Sequence, residues 1–512
     1  MVSLILVGIW IALAIFQIYK WMFHRPNNNF PPGPPRLPIL GAYPYLLLLN
    51  YKHVHKAVDW MCWYYKTDVL GLYAAQFPTI VANTSTTAKE CLNNQALDGK
   101  PALKLAQLRD PDFEVRGIFF TEGPLWHEQR RFALRNLRDF GFGRRQDELE
   151  LELHDEILNL LDLIKNGPKY DFEKNFHDGD SVLVPNIFPS TLGNFFMKVF
   201  LNERLPREKM HILYKAFLNG SQFGKKGDDW GRMFSYNEWI PKLFPKFSEY
   251  NLLRETQMKY YNCMKEIIDE QHRTYDRNHE RNFLDIYFKK MEDNKDNPKS
   301  SHTYQQLILL TADLFLPALL ANAIQTQFLL QRFYLQPEIL KKCQNEIDTV
   351  VGNSRLPTLN DRQNLPYVEA TIRESLRHET LIPSGLPHTA MADTKFRGYD
   401  IPKGTIVFSS LHASHVNDKE TWKNPDQFQP ERFLDESGQF SPKLDKSMPF
   451  GAGKRICAGE TFARNTLFLL VSALVQNFNI ILPANGRMPL PCETLSGVFR
   501  YAPEFRLKFV SR

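Results

Sequence analysis

The sequence predicts one large, mainly α-helical domain with small β-sheets, preceded by an apolar helix. Three observations predict it. Apolar residues recur at helical spacing through six long stretches, 124–140, 147–165, 250–274, 304–334, 336–350 and 459–477. Strand-like alternation is confined to short pieces near 69–82, 386–408 and 494–510. After residue 40 no linker-like tract, fixed-period repeat or low-complexity segment divides the chain.

Taken in order, residues 2–19 carry no charge, and with Trp21, Met22 and Phe23 the apolar run is long enough to cross a bilayer. Lys20 can reach the headgroups along its aliphatic stem. The basic residues Lys20, His24 and Arg25 follow the run instead of preceding it. A single uncleaved anchor is therefore expected, with the remainder on the cytosolic side. Five prolines in residues 30–38 (FPPGPPRLP) predict a stiff, extended connector that cannot continue the helix. The expected boundaries are an anchor over 1–24, a Pro-rich hinge over 25–40 and a catalytic domain over 41–512. Leu149, Leu151 and Leu153 alternate as a strand would, but Ile157, Leu158, Leu160 and Leu161 continue at helical spacing. Gly398 and Pro402-Lys403-Gly404 mark turns between the short strands. The charged span 291–302 reads as a solvated loop.

Composition excludes several classes. Apolar residues make up 43% and charged residues 23%, near the globular average, so global disorder and fibrous folds are out. The net charge of +6 comes without long Lys/Arg runs, which argues against nucleic acid as a partner. The six cysteines are scattered with no CxxC pair, so neither a disulfide framework nor a structural zinc finger is expected.

The segment that carries chemistry is Phe450-Gly-Ala-Gly-Lys-Arg-Ile-Cys457-Ala-Gly459. Glycines let backbone approach a flat partner and adopt positive φ. Cys457 stands just before an apolar helix whose positive end, with Lys454 and Arg455 nearby, is expected to favour a thiolate. Such a thiolate is a suitable ligand to a metal.

These residues resemble the haem-binding signature of the cytochrome P450 superfamily, Phe-x-x-Gly-x-Arg-x-Cys-x-Gly, with Phe450, Gly453, Arg455, Cys457 and Gly459 at its fixed positions. Glu374-Ser-Leu-Arg377, Pro430-Glu-Arg-Phe433 and Trp126-His-Glu-Gln-Arg130 resemble three further segments of that family, in the right order. The anchor and hinge resemble the microsomal type. Gly117-Ile-Phe-Phe-Thr-Glu-Gly123 and Leu137-Arg-Asp-Phe-Gly-Phe-Gly143 look like insect members of the clan that includes mammalian drug-metabolising enzymes.

The resemblance implies the P450 fold, haem b ligated axially by Cys457, and monooxygenation of lipophilic small molecules such as hormone-like lipids, xenobiotics and insecticides. Electrons would come from NADPH through the NADPH-cytochrome P450 reductase, with cytochrome b5 as a second donor, at the endoplasmic reticulum membrane. It further implies haem-propionate contacts from Trp126, Arg130, His388 and Arg455, with Phe450 in the haem-binding loop. A buried network of Glu374, Arg377 and Arg432 would hold that loop. Arg131, Arg135 and Arg138, on another face of the Trp126 helix, would dock the reductase. The aromatics Trp230, Met233, Phe234, Tyr236, Trp239 and Phe244 would lie over the pocket and dip into lipid.

One segment departs from the pattern. The family's acid–alcohol pair in the long helix over the haem falls here on Leu320 and Ala321, with Pro317 and Ala318 at its small residues. Neither Leu320 nor Ala321 can relay a proton. Asn322 and Gln325 are polar but do not titrate. Asp313 is about two turns away, roughly 10 Å along the axis. Pro317 is expected to kink the helix and free a carbonyl. Three readings stand open: a monooxygenase whose relay is completed by a substrate hydroxyl or water, a reductase-independent isomerase or dehydratase of oxygenated lipids, and a non-catalytic haem- and ligand-binding protein.

Overall fold

The computed structural model describes residues 2–142, 146–221, 243, 244, 246 and 250–512. An apolar helix α1 (Val2–Met22) leads into α2 (Tyr43–Asn50) and α3 (Val54–Tyr65). The hairpin β1 (Val69–Ala74) and β2 (Phe77–Ala82) precedes α4 (Ser85–Asn93), α5 (Lys104–Gln107), α6 (Gly123–Arg138) and α7 (Asp147–Asn166). Two short strands, β3 (His177–Asp178) and β4 (Ser181–Val184), precede α8 (Pro189–Leu201) and α9 (Arg207–Ser221). Then come α10 (Tyr250–Arg273), α11 (Phe283–Asp293), α12 (Tyr304–Leu335), α13 (Pro337–Val350) and α14 (Pro366–His378). The strands β5 (His388–Thr389), β6 (Thr394–Phe396), β7 (Tyr399–Ile401) and β8 (Ile406–Ser409) follow. The chain closes with α15 (Glu460–Asn477), β9 (Phe478–Ile481), β10 (Leu495–Ser496), β11 (Arg500–Tyr501) and β12 (Phe505–Ser511).

The architecture is a helical body with two four-stranded sheets, ordered β1-β2-β8-β5 and β3-β4-β12-β9, and two hairpins, β6-β7 and β10-β11. The principal core gathers buried side chains from α6 through α15, with α12 contributing along most of its length. That helix is apolar on nearly every face because protein surrounds it, so its composition marks a central core helix. It remains helical straight through Pro317. The Pro402–Gly404 turn is closed by a Thr405 N–H to Pro402 O bond of 3.2 Å, with Gly404 at φ 82°.

The six long helices fall where periodicity puts them, within a residue or two. Several others were not foreseen. In α8 twelve of the thirteen residues are buried, so no polar face writes a stripe into the sequence. The 291–302 span is not simply a solvated loop: α11 runs on to Asp293, and His302 is buried at the far end. The hinge, expected as a stiff and extended connector, is also packed against the body. Phe30 is buried beside Val69 and Ile80. Pro32 O accepts the Gly71 N–H at 2.8 Å, and a Cβ on Gly33 would lie 1.9 Å from Gly71 O. The polyproline segment is thereby laid along β1 as part of the body. Of the aromatic stretch expected over the pocket, Trp230, Met233, Phe234, Tyr236 and Trp239 lie outside the described residues, while Phe244 is exposed.

Candidate functional site

The Cys457 loop is shaped by two glycines. Gly451 and Gly453 take φ of 75° and 69°, and a Cβ on Gly453 would fall 2.2 Å from Leu92 O of α4. The Cys457 N–H donates to Phe450 O at 2.9 Å, closing the loop just ahead of α15. Phe450 is half-buried against the main core, with the Arg464 guanidinium 4.8 Å from its ring.

Cys457 itself is solvent-accessible on one side while protein encloses the rest of the sulfur. Burial pushes its thiol up, and the Gly459 N–H and Arg130 pull it down. This corrects the sequence-based view that Lys454 and Arg455 activate the sulfur. Lys454 is exposed, Arg455 turns away, and Arg130 is the cation that acts on the thiol. Without a metal the site is therefore not a low-pKa nucleophile. A metal ion that takes the deprotonated sulfur would supply the missing stabilisation.

Around the loop, cations converge. Arg455 stacks 3.7 Å from the Trp126 ring and donates to Asp98 O and Thr121 O at 3.0 Å each. The Arg130 guanidinium lies 5.6 Å from the centroid of the same indole and donates to Ile456 O at 2.5 Å. His388, on β5, and Lys100 complete the group; the Lys100 ammonium donates to Pro387 O at 3.1 Å. Among the described residues none of Lys100, Arg130 and Arg455 forms an ion pair with a carboxylate. The electrostatic strain is legible in each group. Burial, then Arg455, brings Lys100 down to about 7. Burial, then Lys100 and Arg455, holds His388 well below the usual imidazole range. Burial brings Arg455 down to about 10, with Arg130 adding to the fall against Asp98 and Glu122. Half-buried cations that repel one another, with Asp98 and Glu122 acting only from beyond ion-pair distance, fit a bound group bearing carboxylates.

On α14, Glu374 and Arg377 are fully buried and joined twice, Nε–Oε2 and Nη2–Oε1, each at 2.7 Å. Arg432 Nε reaches Glu374 at 3.1 Å, and the Gln429 N–H donates to the same carboxylate at 2.7 Å. Remaining guanidinium donors go to carbonyls: Arg377 to His415, Pro425 and Gln427, Arg432 to Lys423, Asn424 and Gln427. The two guanidinium groups share one carboxylate, and their remaining donors are satisfied by carbonyls, as burial requires. His415 connects this network to the cysteine loop. It sits on a π-turn (Ala413–Asn417), its backbone carbonyl meets Arg377, and its ring Nε2 accepts the Met448 N–H at 2.8 Å. The Nδ1 proton then points to Thr380 Oγ1 at 3.1 Å.

The long helix α12 contains no replacement relay at the altered pair. Leu320 is buried in the apolar core and Ala321 is half-buried. Asn322 bonds back to Ala318 O at 3.0 Å, and Gln325 donates to Ser375 Oγ at 2.6 Å. Asp313 is fully engaged elsewhere: its carboxylate pairs with Arg109 and accepts the N–H groups of Ile118 (2.7 Å) and Phe119 (2.9 Å). Gln306 clasps both backbone groups of Gly117, at 2.9 and 3.0 Å. Thr121, whose carbonyl meets Arg455, donates to Gly117 O at 2.8 Å. One short loop therefore ties α12 to the cation cluster.

Comparison with known proteins agrees with this arrangement. The family model described as Cytochrome P450 matches residues 31–509. The chain belongs to the cytochrome P450 family. It is 31% identical over 477 residues to cytochrome P450 2E1 of Oryctolagus cuniculus, covering 92% of this chain and 91% of that one. Identity is 31% over 527 residues to cytochrome P450 2B4 of the same species (100% and 99% covered) and 32% over 492 residues to cytochrome P450 2C20 of Macaca fascicularis (96% of each). The family fixes the activity class and the cofactor: a P450 is a monooxygenase whose haem iron is bound by a cysteine thiolate. Microsomal P450s draw on redox-partner proteins.

The residues present fit a haem. A P450 needs one thiolate-capable sulfur on a glycine-shaped loop and donors for two carboxylates, and the loop and cation cluster supply both. Lys100 was missed in the sequence because Asp98-Gly-Lys-Pro101 reads as an ordinary turn. Gly117, Gln306 and His415 were missed likewise, since each acts through a contact distant in the chain.

Proposed function

We propose that this P450 is a microsomal monooxygenase of lipophilic small molecules, insect hormone-like lipids or xenobiotics including insecticides. In this reading Cys457 would supply the thiolate to the haem iron, while Trp126, Arg130, His388, Arg455 and Lys100 would hold the haem carboxylates. The observation that carries it is the cluster of cations, none in a direct ion pair among the described residues, built beside Cys457 on its glycine-shaped loop. When bound, haem supplies reductive activation of O2 and transfer of one oxygen atom to substrate, the other leaving as water. The protein's part is to orient and to exclude solvent. Glu374, Arg377 and Arg432 fix the segment before the loop, and His415 fixes its start through Met448 N.

Electrons come from the NADPH-cytochrome P450 reductase, with cytochrome b5 as a second donor. Arg131, Arg135 and Arg138 support this, because all three are exposed and without ion-pair partners among the described residues. A patch of that kind steers an acidic partner. The helix α1, 21 residues and about 31 Å at 1.5 Å per residue, supports an anchor in the endoplasmic reticulum membrane with the body on the cytosolic face. The catalytic domain is taken as 41–512, with the hinge over 25–40 packed along β1 through Phe30, Pro32 and Gly33.

A second reading rests on one observation: Leu320 and Ala321 carry no titratable group, and Asp313 is committed to Arg109 and the 118–119 backbone. It is a reductase-independent isomerase or dehydratase of oxygenated lipids. Purified protein with reductase, NADPH and isotope-labelled O2 separates the two across a panel of hormone-like lipids and their hydroperoxides. Label in product coupled to NADPH supports monooxygenation. Product formed from hydroperoxides without NADPH, with none from the labelled reaction, supports the second reading.

A further inference from the structure

The buried row of α6 is Trp126, Gln129, Ala133 and Leu137, and in it Gln129 is a fully buried amide. Both ends of that amide are taken. Its nitrogen donates to Ser301 O at 3.1 Å and to Ser301 Oγ at 2.8 Å, and its Oε1 accepts from the Tyr287 hydroxyl of α11 at 2.9 Å. Tyr287 is fully buried as well, and the Ser301 hydroxyl donates to Glu128 at 2.7 Å, one residue back on α6. The ring of His302 closes the group, edge-on to Phe132 of the same helix at 4.9 Å and 5.4 Å from Tyr287.

This polar knot does what the apolar members of the row do not. Contacts of Ala133 and Leu137 are non-directional and tolerate a helix that turns about its axis. Hydrogen bonds weaken steeply when bent or stretched. A side chain ending about 5–6 Å from a helix axis moves about 1 Å when the helix turns by about 10°, enough to take a hydrogen bond of normal length out of range. Nor is the start of α6 tied by its own cap, since Glu122 makes no side-chain cap bond.

The same short stretch of chain grips α6 from a second direction. Gln306, five residues after Ser301, clasps Gly117. Residues 301–306 therefore hold the chain at 117 and again at 129. Between these points lie Thr121, whose carbonyl meets Arg455, and Trp126, on which Arg455 stacks. Arg130 follows directly after Gln129 and reaches Ile456 O beside the cysteine.

We infer that Gln129 is a positioning residue for the haem site: with Tyr287 and Ser301 it fixes the turn of α6 about its axis, and so holds Trp126 and Arg130 against the haem carboxylates. The inference rests on the reading of Arg130 as a haem contact.

The test uses full-length holoprotein, with haem content, haem midpoint potential and the reductase concentration for half-maximal turnover measured together. Gln129→Leu alone strands the Tyr287 hydroxyl, so the informative variant is Gln129→Leu/Tyr287→Phe. Replacing both partners by apolar groups of similar shape is nearly neutral for stability, while the directional bonds are gone. This variant should keep wild-type haem content, and its reduction equilibrium constant should fall about threefold, roughly 30 mV at 59 mV per tenfold for one electron. The direction follows because a guanidinium drawn away from the haem favours the electron-poor state. The reductase concentration, set by exposed charges, should stay within about twofold. A wild-type potential in the double variant overturns the inference and leaves Gln129 a satisfied core residue. A rise in the reductase concentration beyond about twofold shows a loosened helix instead of a turned one, and overturns it too. Should the double variant lose its haem, Ser301→Ala carries the test, because it removes one bond and leaves Gln129 on Tyr287. It should move the potential the same way by less, and an unchanged potential there refutes the inference. Arg130→Gln should lower the same constant at least as far; a wild-type potential in that variant overturns the haem-contact reading itself, and the inference with it.

Discussion

Replacing Glu374 by Gln preserves volume and removes one charge from the most deeply buried ionic network in the molecule. In the wild type four donors converge on that carboxylate: Arg377 Nε and Nη2 at 2.7 Å, Gln429 N at 2.7 Å and Arg432 Nε at 3.1 Å. A glutamine presents one oxygen and one NH2, so at least one guanidinium N–H faces another donor, and two positive charges lose their shared counter-charge. Breaking a buried pair in this way costs about 3–5 kcal/mol. That is a large share of the 5–15 kcal/mol typical of a folded protein, and lowers the folded-to-unfolded ratio by roughly two to three and a half orders of magnitude. Lys342–Glu431, close by at 2.7 Å, is the built-in control. Both of its side chains are about half exposed, 56% and 51%, so Lys342→Gln should cost under about 1 kcal/mol. Urea unfolding followed by far-ultraviolet circular dichroism, with haem content measured on the same preparations, gives both numbers. A Glu374→Gln protein with a wild-type midpoint and full haem content would refute the reasoning. So would an equal loss in Lys342→Gln.

Three further outcomes are expected. Cys457→Ser should abolish the thiolate signature of the ferrous–CO spectrum, and its persistence would remove Cys457 as the ligand. His415 is buried and forced neutral, its pKa lowered to about 3 by burial and then Arg377. The unfolded chain therefore takes up a proton near pH 6.5 that the fold refuses, and stability is lost as pH falls from about 6.5 toward 3, by about 1.4 kcal/mol per unit once well below 6.5. His415→Gln, which can still accept from Met448 N, should flatten this slope, and an unchanged slope would clear His415 of the effect. Converting Arg131, Arg135 and Arg138 together to Gln should raise the reductase concentration for half-maximal turnover about tenfold at low salt and weaken its salt dependence, with haem content unchanged. A normal titration would place the reductase elsewhere.

What was readable in the sequence follows from how local each signal is. The helix α10 writes a stripe because only one of its faces is buried, and Cys457 announces itself because its loop geometry demands glycines at fixed spacing. α8 is buried all round and leaves no period. Lys100 joins the cation cluster, and His415 reaches Met448, only after segments far apart in the chain meet. The direction of Arg455 shows the same limit from the other side. Sequence proximity suggested that it serves the sulfur two residues away, whereas Trp126 stacking and two carbonyls hold it on the carboxylate side. The packing of the hinge was not foreseen because five prolines specify an extended shape but not what lies beside it; Gly71 opposite Gly33 is what lets the strand close over it.

The clasp at Gly117 carries a consequence for how such a protein can change. A Cβ there would stand 2.1 Å from the Asp313 carboxylate, while Gln306 holds both backbone groups of the same residue. Positions 117, 306 and 313 are therefore coupled, and a change at one disturbs the contacts that the others make with the same loop. Residues 111–114 are exposed and outside the clasp, and the side chains of Asp112 and Phe113 meet only Arg116 and Arg254 at the surface. Diversification, natural or in a library, should be dense there and nearly silent three residues later.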